Sequence, residues 1–193
     1  SGIIASAPSI EDIDATPTGY LTTVLDNQGN QTATLVASGS NRKYVTINEI
    51  PINLQHAFVA IEDERFYDHN GIDLQGILRA GLKGVASGFH FSEGASTITQ
   101  QLLKNTVFTQ WTSEQSMADK FERKFQEQYL ALQLEKVVDK DWILENYLNA
   151  INLGQNTLGV GVASERYFGK DVSDLTLSEC AVLAAITQSP SYY

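Results

Sequence analysis

The sequence holds a single cysteine, Cys180, among its 193 residues. One thiol excludes an internal disulfide and a structural zinc site built on cysteines. Cys180 opens the apolar run CAVLAAI, so it reads as a small buried hydrophobe. Histidine is also scarce: His56, His69 and His90 lie scattered, with no metal-ligand spacing among them. No stretch of about 18 apolar residues occurs, so nothing in the sequence reads as a membrane span. Basic residues are few, 13 against 23 acidic, for a net charge of −10 and a pI near 4.6. That balance argues against a nucleic-acid partner, which needs a basic surface. Start methionine and signal peptide are both missing, so the chain is expected to be a processed or trimmed piece of something larger.

What is present is an ordinary globular composition, 42% hydrophobic and 19% charged, at a length suited to one domain with a real core. The charge is unevenly spread. Residues 1–75 hold three basic and ten acidic side chains, and residues 125–193 hold four and nine. Between them, Arg79 and Lys83 outnumber Glu93, and Lys104, Lys120, Arg123 and Lys124 outnumber Glu114, Asp119 and Glu122. An anionic ligand is therefore expected in the middle of the chain.

Residues 1–19 are rich in Ser, Ala, Pro, Thr and Asp and read as an irregular leader. Residues 20–36 hold two β-prone runs around 26–30, the pattern of a hairpin with a Gly-containing turn. Leader and hairpin make a region over 1–45, and a domain over 46–193 follows. Pro51 opens a helix with Ile52, Leu54, Ala57, Phe58, Ile61 and Arg65 at mostly helical spacings, ending near Asn70-Gly71. Asp73 reads as the N-cap of a second helix, with Leu74, Ile77, Leu78 and Leu82 on one side. Its Gly76, Gly81 and Gly84 suit close approach by another element, or mobility. A loop over 87–95 leads to a third helix capped by Ser96 or Thr97. After the polar residues 109–117 comes the longest helix, over 117–138, which has no Gly or Pro. Asp141 is expected to cap the next helix, which stops at Gly154. Helices over 162–168 and 176–187 follow, the last buried on most sides. The fold class is mainly α with a short N-terminal β-hairpin.

Three clusters carry candidate chemistry. Glu62 leads three consecutive acids in a helix that also holds Phe58, Ile61 and Phe66. Like charges and partial burial suit a general base, although a solvated acidic turn fits the same residues. Arg123 and Glu127 are i and i+4 on one helix face beside Lys124. They make either a carboxylate held among phosphate-binding cations or a surface ion pair. Residues 94–105 (GASTITQQLLKN) place small residues, hydroxyls, two amides and a lysine at a helix start. Free N–H groups there attract anions, and the amides and hydroxyls suit sugar groups. A capped structural helix is the plainer alternative. Two carboxylates about a cleft are the arrangement that glycosyl chemistry uses.

Five segments then stand in a known order. EDERFYDHNG (62–71), GASTITQQLLKN (94–105), RKFQE (123–127), ILENYLN (143–149) and RYFGK with LSECAVLAAI resemble the motifs of peptidoglycan glycosyltransferases in order and spacing. These are the lipid II-polymerising domains of class A penicillin-binding proteins and of monofunctional enzymes. The resemblance covers roughly residues 45–190. Ala95 departs from it, standing where the family often has a second Gly.

The resemblance implies a lysozyme-like helical lobe and a smaller mobile jaw lobe, the jaw at about residues 76–118. Phe89, Phe91, Val107, Phe108 and Trp111 would then be candidate lipid contacts. It implies that a growing glycan on undecaprenyl pyrophosphate is the donor and lipid II the acceptor. Glu62 matches the catalytic base, and Glu127 the second essential glutamate, which helps hold the pyrophosphate, with Mg²⁺ or Mn²⁺ as a possible metal there. Lys104, Arg123 and Lys124 match the cations facing the leaving group. Ser96, Thr97, Gln100 and Gln101 resemble the substrate-contacting strip, and Asp63, Phe66 and His69 would complete the substrate site around the base. The implied location is the outer face of the bacterial cytoplasmic membrane, with an N-terminal anchoring helix and any transpeptidase domain lying outside this chain. Other implied partners are the membrane surface, cell-wall synthesis or division proteins, and the inhibitor moenomycin. A lysozyme-like glycan hydrolase and a non-catalytic lipid II-binding module are the competing functions.

Overall fold

A computed structural model describes residues 42–86, 94–108 and 117–188, and, before residue 42, residues 4, 7, 9–10, 14–16, 22–25, 28 and 31–35. The expected lipid contacts Phe89, Phe91 and Trp111, the loop over 87–93 and most of the leader lie outside the described residues. The chain divides into two compact units, one of residues 1–15 and 62–143, the other of residues 16–61 and 144–193. No helix among the described residues is long and apolar enough to cross a membrane.

In the unit of 16–61 and 144–193, two short strands are described, and most of the turn expected between them lies outside the described residues. Strands β1 (Thr22–Leu25) and β2 (Gln31–Leu35) pair antiparallel, Thr22 opposite Leu35 and Val24 opposite Ala33, with a register shift between Val24 and Leu25. Helix α1 (Ile52–Glu62) starts after Pro51, whose carbonyl accepts from the N–H groups of Leu54 and Gln55. Its Leu54 and Phe58 are fully buried, and Phe58 meets Tyr147 edge-on at 6.2 Å between ring centroids. Each such side chain contributes about 1.5–3 kcal/mol through burial. Asn149 clamps the chain at Val45, accepting from its N–H at 2.9 Å and donating to its carbonyl at 2.8 Å. Helix α6 (Val160–Phe168) ends on Gly169 in the left-handed conformation, φ 64°. Helix α7 (Leu177–Ile186) begins with a reciprocal cap between Thr176 and Glu179. It buries Cys180, Leu183, Ala184 and Ile186 but leaves Leu177 67% and Val182 49% exposed. It is thus buried along one face, because the small residues around Cys180 fill only the inner side. Burial pushes the Cys180 thiol upward from its ordinary pKa.

The unit of 62–143 carries α2 (Leu74–Ala86), α3 (Ile98–Thr106), α4 (Met117–Val137) and the start of α5 (Lys140–Ala150). The long helix over 117–138 is found within a residue. Helix α5 begins two residues earlier than expected: Asp139, not Asp141, accepts from the N–H of Trp142 at 2.8 Å. It ends at Ala150, because Asn152 and Leu158 form a β-bridge around a left-handed turn at Gly154, Gln155 and Asn156. Helix α1 also stops short of Asn70-Gly71, at Glu62. The next residue, Asp63, turns inward, and its carboxylate takes up groups of α3 and His69, so residues 64–70 close as turns. Helix α2 carries its leucines on one side, as its spacing predicts, and that side is exposed. Its buried residues are Gly76 and Gly84, while Leu74, Leu78, Leu82 and Val85 stand 74%, 64%, 65% and 60% exposed. A Cβ at Gly76 would lie against the Asp73 carboxylate and 3.4 Å from the Arg65 guanidinium, so a side chain there would push against the pair that begins α2.

Candidate active site

Helix α3 is positioned by contacts from two earlier stretches of the same unit. Thr97, not Ser96, caps it: the Thr97 hydroxyl accepts from Gln100 N–H at 3.1 Å, and the Gln100 amide oxygen accepts from Thr97 N–H at 2.9 Å. The same hydroxyl donates to the Gly71 carbonyl at 2.7 Å. Gly71 must be glycine here, since its φ is +104° and a Cβ would lie 2.6 Å from the Ala131 carbonyl oxygen of α4. Asp63 Oδ2 accepts from the N–H of Ile98, the first residue of α3, at 2.9 Å. The anion expected at this helix start is thus the protein's own Asp63, which suits the helix dipole.

Glu62 closes α1 and faces α3, where its Oε2 accepts from the Gln101 side-chain amide at 3.0 Å. Opposite lies Glu127, 1% exposed on α4. Lys124 Nζ stands 2.6 Å from Glu127 Oε1, and Arg123 Nη1 stands 3.3 Å from Oε2. Lys124 Nζ also donates to Ser96 Oγ at 2.7 Å. Removing these cations would strand a buried carboxylate, at a cost of about 3–5 kcal/mol. A cavity of about 240 Å³ opens between the carboxylates, lined by Glu62, Ser96, Gln101, Lys104, Asn105 and Glu127. Lys104 is exposed and makes no ion pair among the described residues.

The structure thus brings Glu62, Ser96, Gln101, Lys104 and Glu127 together, with Lys124 and Arg123 gripping Glu127. The other five expected residues lie apart from this cavity's lining and are largely buried. Phe66, Thr97 and Gln100 are at most 1% exposed, Asp63 is 6% exposed, and the His69 side chain is buried against Asp63. Phe66 packs edge-on to Tyr67 and His69, with Lys140 4.6 Å above its ring. Thr97, Gln100, Asp63 and His69 hold the loop and helix that carry the site, while His69 also lines a separate cavity with Arg65, Asp73 and Leu132. Phe108, expected against lipid, is likewise buried, at 4% exposure. Asn105 is the lining residue that the motif contained but the expectation omitted. Its spacing of four from Gln101 puts it on the same helix face, which was the available signal.

The donor set does not suit a resident divalent ion at Glu127. Two cations occupy the carboxylate, and among the described residues no group of three His, Cys, Asp or Glu side chains comes together that could hold a metal.

Two carboxylates thus line a small cavity, with two cations on one of them and an amide beside the other. Residues 28–193 match the family model described as transglycosylase. This chain belongs to the transglycosylase family. It is 47% identical over 195 residues to penicillin-binding protein 1A of Clostridium perfringens (strain 13 / Type A), covering 99% of this chain and 27% of that protein. It is 45% identical over 171 residues to penicillin-binding protein 1F of Bacillus subtilis (strain 168), covering 88% of this chain and 22% of that protein. The chain therefore spans about a quarter of the length of these curated relatives. The mainly helical fold expected of a transglycosylase is the fold observed.

Proposed function

We propose that this transglycosylase domain polymerises lipid II into β-1,4-linked glycan at the cavity between Glu62 and Glu127. The observation that carries the proposal is the asymmetry of that cavity: one carboxylate oriented by an amide, the other held by two cations. Glu62 takes the proton from the acceptor 4-hydroxyl, which attacks the anomeric carbon of the donor glycan with inversion. The C–O bond to undecaprenyl pyrophosphate breaks, and the bonding electrons leave on the pyrophosphate. Because an anion leaves, no acid needs to protonate it. Lys104, Lys124 and Arg123 stabilise the charge that develops there, and Glu127 orients two of those cations. Ser96, Gln101 and Asn105 offer hydrogen bonds to sugar hydroxyl and acetamido groups. A hydrolase on the same scaffold would have no use for these cations.

The exposed leucines of α2 support a membrane surface as partner. Leu74, Leu78, Leu82 and Val85 make an apolar face, with Arg79 and Lys83 beside it to reach lipid headgroups. The lipid-linked substrate supports work at a membrane, and the proposed location is the outer face of the cytoplasmic membrane. Incubation of the chain with lipid II in detergent tests the proposal. Glycan polymer is the expected product, whereas digestion of preformed glycan without polymer, or binding without turnover, would contradict it. Moenomycin should bind the same cavity and raise the melting temperature.

A further inference from the structure

A chain of hydrogen bonds gathers around the residue next to Glu62. Asp63 follows Glu62 in the chain, and its Oδ2 receives two hydrogen bonds. One comes from Ile98 N–H at 2.9 Å, the other from His69 Nε2 at 2.8 Å. Gly71 fixes the direction of the second, because its N–H donates to His69 Nδ1 at 3.0 Å. A nitrogen that accepts a backbone N–H carries no proton, so the imidazole proton sits on Nε2, facing Asp63. The His69 carbonyl accepts from Lys140 Nζ at 2.8 Å, and Lys140 also pairs with Glu135 Oε2 at 2.6 Å. Glu135 Oε1 accepts from the Thr99 hydroxyl at 2.6 Å. The first turn of α3 is therefore gripped at two neighbouring residues, Ile98 by Asp63 and Thr99 by Glu135. One turn further along the same helix is Gln101, the donor to Glu62.

We infer that Asp63 and His69 form a positioning pair for the base. Tying the residue after Glu62 to the first N–H of α3 sets the angle at which Glu62 meets Gln101 and the cavity. The pair acts through Glu62 and touches no substrate. The inference rests on the glycosyl-transfer reading of the cavity.

Steady-state polymer formation from lipid II, with each variant's melting curve, tests it. His69→Ala should lower kcat by about 10–100-fold with KM within about threefold, since a misplacement of about 1 Å costs on that order. His69→Gln, which keeps an N–H donor toward Asp63, should recover most of the loss. Amide hydrogen exchange of Ile98 should quicken in Asp63→Ala, a readout independent of turnover. A cooperatively folded His69→Ala with wild-type kcat would overturn the inference. So would a raised KM at unchanged kcat, which would make His69 a substrate contact, or unchanged Ile98 exchange in Asp63→Ala. Should the wild-type chain make no polymer, the glycosyl-transfer reading falls alone, and the Ile98 exchange still decides whether the strap exists.

Discussion

Helices α2 and α3 belong to the same unit, and both are rich in leucine, yet they place their leucines oppositely. Leu102 and Leu103 of α3 are fully buried, whereas Leu74, Leu78 and Leu82 of α2 are at least 64% exposed. Helix α3 is held at its start by a reciprocal cap, a hydroxyl to Gly71 and a carboxylate on its first N–H. Helix α2 is held by Asp73, which accepts from Gly76 N–H at 2.9 Å and pairs with Arg65 at 2.6 Å, and by its glycine side. The difference teaches that an amphipathic pattern names a face without saying what covers it. Helix α3 spends its apolar face on the core so that Gln101, Lys104 and Asn105 are fixed at the cavity. Helix α2 leaves its apolar face exposed.

The same substitution in the two helices should break this comparison open. Leu102→Ala is expected to cost about 2–5 kcal/mol, the range for a buried Leu. Denaturant unfolding measures it, and a loss under about 1 kcal/mol would mean that α3 is not core. Thr97→Ala should cost about 1 kcal/mol through the cap, with a further loss from the bond to Gly71. A third difference is one of pH. Hydrogen bonds from Arg65, then from Gly76 N–H, outweigh burial and hold the Asp73 carboxyl below the usual carboxylate range. Its stabilisation of α2 is therefore complete above that range and lost as acid takes the pH down through the lowered value. Asp73→Asn should flatten the acid limb of α2 amide exchange and leave that of α3 alone. The smallest effect on stability belongs to Leu78→Ala, within about 0.5 kcal/mol. That same change should still weaken binding to anionic lipid vesicles, and unchanged vesicle binding would count against the membrane role of α2.

Long-range contacts mark where sequence reading stopped. Spacing alone gave the long α4 and the capped α3, because local propensity and caps decide them. It also gave the partnership of Arg123, Lys124 and Glu127, whose spacings of three and four put them on one turn of helix. It misread the end of α1, because what stops that helix is Asp63 reaching residues 35 positions away. It did not show that Asp63, Phe66, His69, Thr97 and Gln100 would be largely buried, because a motif records which residues belong together without recording how they pack. The exposure of the α2 leucines was not legible for a similar reason: leucines on one side of a helix do not say whether core or solvent meets them, and the buried residues prove to be Gly76 and Gly84.

The central claim is that Glu62 is the base at this cavity, and the most direct measurement is the rate of glycan polymer formation from lipid II by Glu62→Gln beside the wild-type chain. Loss of a general base should cut the rate by about 10²–10⁴-fold. The melting temperature should stay unchanged, since glutamine keeps the size of Glu62 and a hydrogen-bond acceptor for Gln101. A folded Glu62→Gln that polymerises lipid II at the wild-type rate would contradict the account.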